Sequence, residues 1–484
     1  MRFTIDGDTI FVKGKNLLFF DFLIKSSFQI IFSFYLDSML LLGVASLENS
    51  WKMNRFVVFF LSLLLFMIHL DLFLHIWIQC YSFGRPGEER TIFLLLYSIL
   101  LAVFSLGFNA FRLGRHPTEL IYSQGMALMF VNFITYWELC LFQRELLPVR
   151  AMFGLLGVQI IFVVIWAQGS SLLYHKLFPP LQILLIYNGT SCQKERLMEK
   201  IQSHPEQFTI AGVLDSRQPT EILLREIEQQ KTVMLYDLPV DQRDFLLSFC
   251  FAHSICVYLT PKISDILLQP SEEVFSSGPF IRYMKNEGLS AGQRFTKRAL
   301  DFILSLLCLI VASPCMAVIA LAIKCYDGGP VFFRQKRCTL NGKVFSIIKF
   351  RSMVVDAEKN GIFQPQNNRD PRITPIGRVL RKTHLDELPQ LFHVLTGTMS
   401  FVGPRPERVE HMQEYSRKIP EFAFRLKVKG GLTGYAQVMG NYHTSAYDKL
   451  RLDLMYIQNY SLFLDLKLIL LTIKGMFFHS DFHE

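Results

Sequence analysis

Through the first third of the chain, apolar residues come in long runs rather than in the short alternations of soluble elements. Residues 56–78, 91–111, 120–142 and 151–174 each supply the roughly 20 apolar positions that cross about 30 Å of hydrocarbon at 1.5 Å per residue, and they predict four transmembrane helices. Residues 16–46 are a fifth candidate. They are interrupted by Asp21, Lys25 and Asp37 and flanked by Lys13 and Lys15, so an interfacial helix is expected there. Lys52 and Arg55 precede the first run, Arg112 and Arg115 follow the second, and Lys176 follows the fourth, which places all three positions in the cytoplasm.

After Pro179-Pro180 the pattern changes. Short apolar runs at 182–187, 208–215, 232–238 and 254–259 alternate with polar, helix-like segments, predicting a small parallel α/β sheet. The turn Asn188-Gly189-Thr190-Ser191 lacks the glycine spacing of a dinucleotide site, although Asp215 stands where a ribose-binding acid is expected; a structural or regulatory module is the favoured reading. A last long apolar run, 297–325, carries Ser313-Pro314 at its middle and basic residues at both ends. A spanning helix would put one basic cluster on the wrong side, whereas a helix bent at Pro314 dips into one leaflet and returns both to the cytoplasm; a proline-kinked transmembrane helix is the alternative. The run 465–478 is short and holds Lys467 and Lys474, so an interfacial or core helix is expected. Asp301 is expected to pair with nearby Arg298 and anchor the re-entrant helix.

Composition agrees with a membrane protein: 51% of the 484 residues are hydrophobic and 14% are aromatic. The net charge of +9 comes without any nucleic-acid-binding motif, so it is read as cytoplasmic flanks and phosphate-binding residues, and no nucleic-acid partner is expected. Nine cysteines without a CxxC pair argue against a disulfide framework or zinc site, and no cleavable signal peptide is expected at the N-terminus.

Candidate chemistry concentrates between 349 and 407. Lys349, Arg351, Arg372, Arg378, Arg381 and Lys382 surround the acidic pair Asp386-Glu387, and Arg405 lies between Pro404 and Pro406. Such a density of cations is expected to need an anion to relieve it, and a diphosphate suits guanidinium groups best. Flanking prolines lower the entropy lost when Arg405 is held on a ligand. Two neighbouring carboxylates beside phosphate-binding cations suit Mg²⁺, and an aspartate can also attack phosphorus.

The motifs KRALD, the Ser-Pro break, FRQKR, KFRSM, DPRITPIGRVLRKTHLDELPQL, SFVGPRPE and GLTGYAQVMG occur in one order over residues 293 to about 475. In this the chain resembles the bacterial sugar transferase domain of polyprenyl-phosphate phosphoglycosyl transferases, in the large form that adds N-terminal spans and a Rossmann-like domain. The resemblance implies transfer of a sugar 1-phosphate from a nucleotide-diphosphate sugar, as in UDP-sugar enzymes, to a polyprenyl (undecaprenyl) phosphate, as the first membrane step of surface polysaccharide assembly. It implies Mg²⁺, Asp386 as nucleophile with Glu387 beside it, and Arg405 on phosphate. Lys349, Arg351, Arg378 and Arg381 are the further phosphate-binding candidates, and Ser313-Pro314 is the re-entrant break. Thr398, His393 and Lys429-Gly430-Gly431 depart from the usual family pattern, which has an acidic residue, Asn and Lys-Pro-Gly there.

The expected architecture is a multidomain membrane protein. A helix bundle occupies 1–178, with four helices or five if 16–46 also spans, a Rossmann-like α/β domain 181–285, and a mainly α catalytic domain 290–484 with re-entrant helix 297–325. The expected location is the bacterial inner membrane with the catalytic domain on its cytoplasmic face, and a homodimer is a further expectation. The rival reading is a transporter or channel subunit with a nucleotide-sensing α/β domain, but the predicted spans hold few charges to line a pathway.

Overall fold

The computed structural model describes residues 4–5, 8–9, 50–77, 88–113, 116–188, 191–202, 205, 207–269, 272–274, 281–283, 288–355, 370, 372–440 and 445–477. The candidate helix 16–46 and the Gly189-Thr190 turn therefore lie outside the described residues. The chain forms two compact units, Met1–Leu63 and Leu64–Glu484. The first contains the antiparallel pair β1 (Thr4–Ile5) and β2 (Asp8–Thr9) and most of helix α1 (Ser50–Leu72).

In the second unit, α1 ends in a π-helical turn, Phe73–Trp77, and is followed by α2 (Glu88–Gly107), α3 (Pro117–Gln143) and α4 (Arg150–Leu177). By length and hydropathy Phe56–Trp77, α3 and α4 can cross a membrane, as expected, and so can the later helix Ala291–Asp327. The second expected span is shorter than its sequence run: the apolar part of α2 is Thr91–Gly107, and Asn109, at φ 55°, follows its end. Inside the bundle, Tyr97, Asn132 and Gln159 close a buried ring of hydrogen bonds: Tyr97 Oη to Asn132 Oδ1 (3.2 Å), Asn132 Nδ2 to Gln159 Oε1 (2.8 Å) and Gln159 Nε2 to Tyr97 Oη (2.7 Å). Mutual satisfaction lets these polar groups sit among apolar helices.

The predicted α/β alternation forms a parallel sheet in the order β4 (Phe208–Asp215), β3 (Leu181–Tyr187), β5 (Thr232–Tyr236), β6 (Cys256–Leu259). Its helices are α5 (Ser191–Gln202), α6 (Thr220–Glu228), α7 (Val240–Ala252) and α8 (Ile263–Leu268). The unbroken apolar run in β3 follows from burial on both faces. Leu184 and Ile186 pack with Leu223, Ile227 and Leu246, while Ile183 and Leu185 pack with Leu197 and Ile201 on the other side. A short ribbon of β7 (Glu272–Val274) and β8 (Ile281–Tyr283) leads to the last region.

That region begins with α9, a 37-residue helix from Ala291 to Asp327. It runs helical through Pro314, whose missing N–H would leave the Ile310 carbonyl without its donor; Ser313 Oγ donates to that carbonyl at 2.9 Å. One stripe of α9 is buried along its length: Lys297, Asp301, Ser305, Leu309, Met316, Ile319 and Ile323. Leu309, Met316, Ile319 and Ile323 join the same core as Phe350, Val394 and Phe401, so residues on both sides of Pro314 pack on one domain. The opposite face is apolar and bare, with Val311 80% and Leu321 66% exposed.

The remaining elements are the antiparallel hairpin β9 (Phe332–Cys338) and β10 (Val344–Phe350), α10 (Pro375–Lys382), a 3₁₀ turn at Leu385–Gln390, and α11 (Leu391–Thr396). They are followed by β11 (Ser400–Val402), α12 (Val409–Lys418), a 3₁₀ segment Pro420–Lys427, and β12 (Gly431–Thr433), which pairs in parallel with β11. Helices α13 (Tyr435–Met439), α14 (Ala446–Gln458) and α15 (Leu462–Phe477) complete it. Of the two roles left open for the terminal apolar run, α15 has the core one. Leu470 and Ile473 pack with Phe108 and Met126 of the bundle, and Lys474 Nζ donates to Ser123 Oγ at 2.7 Å.

Two contacts seat α9. Lys297 Nζ donates to Asp465 Oδ2 (2.6 Å) and Tyr456 Oη (3.1 Å), and Asp301 Oδ1 accepts from Ser400 Oγ (3.1 Å) and the Phe401 N–H (3.0 Å). The expected Asp301–Arg298 pair is therefore replaced. Arg298 instead donates to the Val394 and Leu395 carbonyls at 2.7 and 2.6 Å, satisfying the end of α11 where helix carbonyls lack partners.

Candidate active site

The acidic pair sits in the 3₁₀ turn Leu385–Gln390, entered through His384 at φ 54°. Leu385 and Leu388 pack into the core below, which fixes the turn and leaves Asp386 buried at 8% exposure. β10 lies against this turn and brings up Lys349, whose Nζ donates to Glu387 Oε1 at 2.6 Å. From the other side Arg405 Nη2 donates to the same oxygen at 2.8 Å. Asp386, one residue away, accepts no hydrogen bond from the described residues.

The Pro-Arg-Pro turn is held by backbone proximity. Gly403 N–H donates to Thr433 O at 2.9 Å and Gly431 N–H to Pro404 O at 3.0 Å. A Cβ on Gly431 would lie 2.1 Å from the Gly403 nitrogen, so only glycine permits this approach of β12 to β11. Pro404 and Pro406 are buried and the Arg405 side chain, 46% exposed, stands clear. Half-buried Arg337 and buried Arg425 grip the turn: Arg337 Nη1 donates to Pro406 O and Arg425 Nη2 to Arg405 O, both at 3.0 Å. Arg425 is itself held by Asp453, with Nε at 2.9 Å and Nη2 at 2.7 Å. Arg337 closes the FRQKR motif, whereas Arg425 is not visible in the sequence as a site residue, because it acts through contacts with chain segments far from its own.

The two carboxylates are pushed in opposite directions. Burial raises the Asp386 pKa and the Glu387 charge adds to this, with Lys349 and Arg381 opposing. Burial also acts on Glu387, but Arg405 and Lys349 outweigh it and hold that carboxyl far below its ordinary value. Adjacent carboxyls separated in this way mark a division of roles.

The structure sorts the other cations differently from the sequence expectation. Arg351 pairs with Asp327 at the end of α9, Arg372 with Asp370 (2.6 Å), and Arg381 Nε donates to Ser352 Oγ (2.8 Å), while Arg378 is on the exposed face of α10. Carboxylates within the fold thus neutralise Arg351 and Arg372. Two of the departures from the family pattern meet at Thr339: its Oγ1 donates to Thr398 O (3.3 Å) and accepts from the Gly430 N–H (3.0 Å), a donor that proline would lack. Asp215, the ribose candidate, is closed by Arg217, whose Nε lies 2.9 Å from Oδ1 and whose side-chain and backbone hydrogen bonds hold the carboxyl down to about 2.

Among the described residues no three His, Cys, Asp or Glu side chains group into a metal site. The donor-free Asp386 carboxylate and the second oxygen of Glu387 nevertheless fit Mg²⁺, which takes one or two carboxylates and fills its remaining positions with phosphate oxygens and water. Beside the site, an apolar groove of about 470 Å³ runs between α9 and the hairpin, lined by Leu309, Ser313, Met316, Phe332, Phe350 and Phe392.

Residues 292–479 match the bacterial sugar transferase family. A UDP-glucose:undecaprenyl-phosphate glucose-1-phosphate transferase of Caulobacter vibrioides is 42% identical over 185 residues, 37% of this chain and 69% of that one. The chain belongs to the bacterial sugar transferase family. An Escherichia coli protein of the same name as the Caulobacter one is 45% identical over 193 residues, 39% of this chain and 41% of that one. A UDP-N-acetylgalactosamine-undecaprenyl-phosphate N-acetylgalactosaminephosphotransferase of Aeromonas hydrophila is 40% identical over 183 residues, 37% and 43% of the two chains. The chain spans about half the length of the first curated relatives it matches, at 41%, 48% and 54%. The sugar transferase match contains Asp386, Glu387, Lys349 and Arg405, and it leaves the transporter reading without support.

Proposed function

We propose that this sugar transferase moves a sugar 1-phosphate from a UDP-sugar to a polyprenyl phosphate at the cytoplasmic face of a bacterial inner membrane, releasing UMP. The observation that carries the reading is the unequal carboxylate pair: Asp386 is buried without a donor while Glu387 beside it is clamped by Lys349 and Arg405. An Asp386 oxygen attacks the β-phosphorus, the bond between β-phosphorus and bridging oxygen breaks, and the electron pair leaves with UMP. An oxygen of the polyprenyl phosphate then attacks the same phosphorus and returns Asp386 as a carboxylate. Glu387 holds Arg405 and Lys349 where the phosphates arrive; a carboxylate held anionic by two cations is a weak base, which favours this role over proton transfer. Mg²⁺ held by Asp386 and Glu387 would neutralise phosphate charge. Arg381 and Arg378 are proposed as further phosphate contacts.

Several features support membrane placement. The buried stripe of α9 on both sides of Pro314, together with its bare apolar face, favours a helix that dips into one leaflet over one that crosses. Phe392 lies five residues beyond Glu387, about 9 Å at 3₁₀ and then α-helical rise, so the apolar groove could take the first isoprenoid units while their phosphate reaches the pair. Under this reading 1–178 is the membrane domain, 181–285 the α/β domain and 290–484 the catalytic domain.

Incubation of the membrane protein with radiolabelled UDP-sugars and polyprenyl phosphate should give a labelled lipid with one sugar of a panel; no labelled lipid with any sugar contradicts the reading. Cysteine probes near Arg294 and Tyr326 should both label from the cytosolic side, and opposite-side labelling would exclude re-entry.

A further inference from the structure

The α/β sheet meets the catalytic region at a definite place. α8 puts Ile263 and Ile266 into the core that contains Leu450 and Leu454 of α14. At the carboxyl end of β5, Asp237 takes φ 54° and its Oδ1 accepts from Lys262 Nζ at 2.9 Å and from Arg451 Nη2 of α14 at 3.0 Å. β3 and β5 are the strands between which the crossover direction reverses, the edge where open parallel sheets present residues to other groups. Arg451 is 8% exposed, its Nη1 donates to Asp448 Oδ1 at 2.9 Å, and its guanidinium lies 4.3 Å from the Tyr447 ring.

Two residues further along α14 is Asp453, 1% exposed, which accepts from Arg425. Positions i and i+2 point about 200° apart on a helix, so α14 presents Arg451 to the sheet and Asp453 to the site. From Asp453 the links continue through Arg425 to the Arg405 carbonyl (3.0 Å) and from the Arg405 side chain to Glu387 (2.8 Å). The series therefore runs from Asp237 to the acidic pair with no gap wider than one helix diameter.

We infer that the α/β layer is a positioning module for the transfer site, and that Asp237 and Arg451 act on Arg405 by seating α14. Neither residue touches substrate. The link itself is mechanical; only its effect on turnover rests on the proposed reaction. Removing the Asp237 charge leaves a buried guanidinium with one carboxylate, so α14 loses its seat on the sheet and the Arg425 grip on the Pro-Arg-Pro turn loosens.

The test is hydrogen exchange on the full chain in nanodiscs. In Asp237→Asn, amides in peptides covering 399–408 should exchange about tenfold faster, while those of β9 and β10 at 332–350 stay as in the parent. Lys262→Met, which leaves the Asp237–Arg451 pair intact, should leave both segments unchanged. Arg451→Lys, which keeps the charge but loses the fork, should give a smaller acceleration at 399–408, and it serves if Asp237→Asn folds poorly. Turnover should fall about tenfold in Asp237→Asn, and non-additively with Arg425→Lys. Unchanged exchange at 399–408, or acceleration spread evenly over the region, overturns the inference. Local acceleration in a protein whose parent makes no lipid-linked product upholds the linkage and rejects the reaction.

Discussion

Two buried charged clusters lie in the same region and are built on opposite plans. At the foot of α9, Lys297, Asp465 and Tyr456 satisfy one another within 3.1 Å. At the 3₁₀ turn, Glu387 takes both cations and leaves Asp386 buried without a donor. Burial of a carboxylate without a hydrogen-bond donor is costly, so the first arrangement is what a fold needs and the second is what a reacting group needs. The contrast separates residues that hold the helix from residues proposed to do chemistry, although both sets are acidic and basic side chains in an apolar setting.

The contrast is broken most severely at Asp386. Asp386→Asn keeps the shape and removes the attacking oxygen, and turnover should fall by about 1,000-fold or more with UDP-sugar binding retained; steady-state kinetics beside ligand titration would show it. Next is Lys297→Met, which strands Asp465 in the core. It should lower stability by about 3–5 kcal/mol in denaturant titrations, while turnover per folded molecule is unchanged. Arg405→Lys follows: it keeps the charge but loses the guanidinium that bonds Glu387 through Nη2, and turnover should drop about a hundredfold.

The smallest effect is on pH dependence. In the proposed mechanism Asp386 must be ionised to attack, and its pKa is raised by burial, so activity should be lost as pH falls through a value above that of an ordinary aspartate. Lys349 opposes that rise, so Lys349→Met should move the acidic limb of the pH–rate profile higher still. An acidic limb that stays in place would assign it to another group.

The sequence made some of this plain and hid the rest. The spans could be read because about 20 apolar residues in a row have few other uses, and β3 because a strand buried on both faces is apolar throughout. The acidic pair and Pro404-Arg405-Pro406 were legible as motifs. The difference between Asp386 and Glu387 was not, since it depends on Lys349 and Arg405 arriving from segments 38 and 18 residues away. Arg298 shows the converse error: a partner near in sequence, Asp301, was expected, but the open carbonyls at the end of α11 were the stronger attraction. Arg425 and Asp453 gave no signal because a lone arginine and a lone aspartate on separate helical segments announce nothing until the chain is folded.

The account depends most on Asp386 carrying the sugar phosphate between the two half-reactions. Mixing the protein with UDP-sugar and no lipid acceptor, quenching, and mapping the added mass by peptide tandem mass spectrometry addresses this directly. The adduct should be found on Asp386 in the peptide that spans 383–391, should vanish in Asp386→Asn, and should be discharged by polyprenyl phosphate. An adduct on a peptide that excludes Asp386, or transfer to the lipid at near-parent rate by Asp386→Asn, would contradict it.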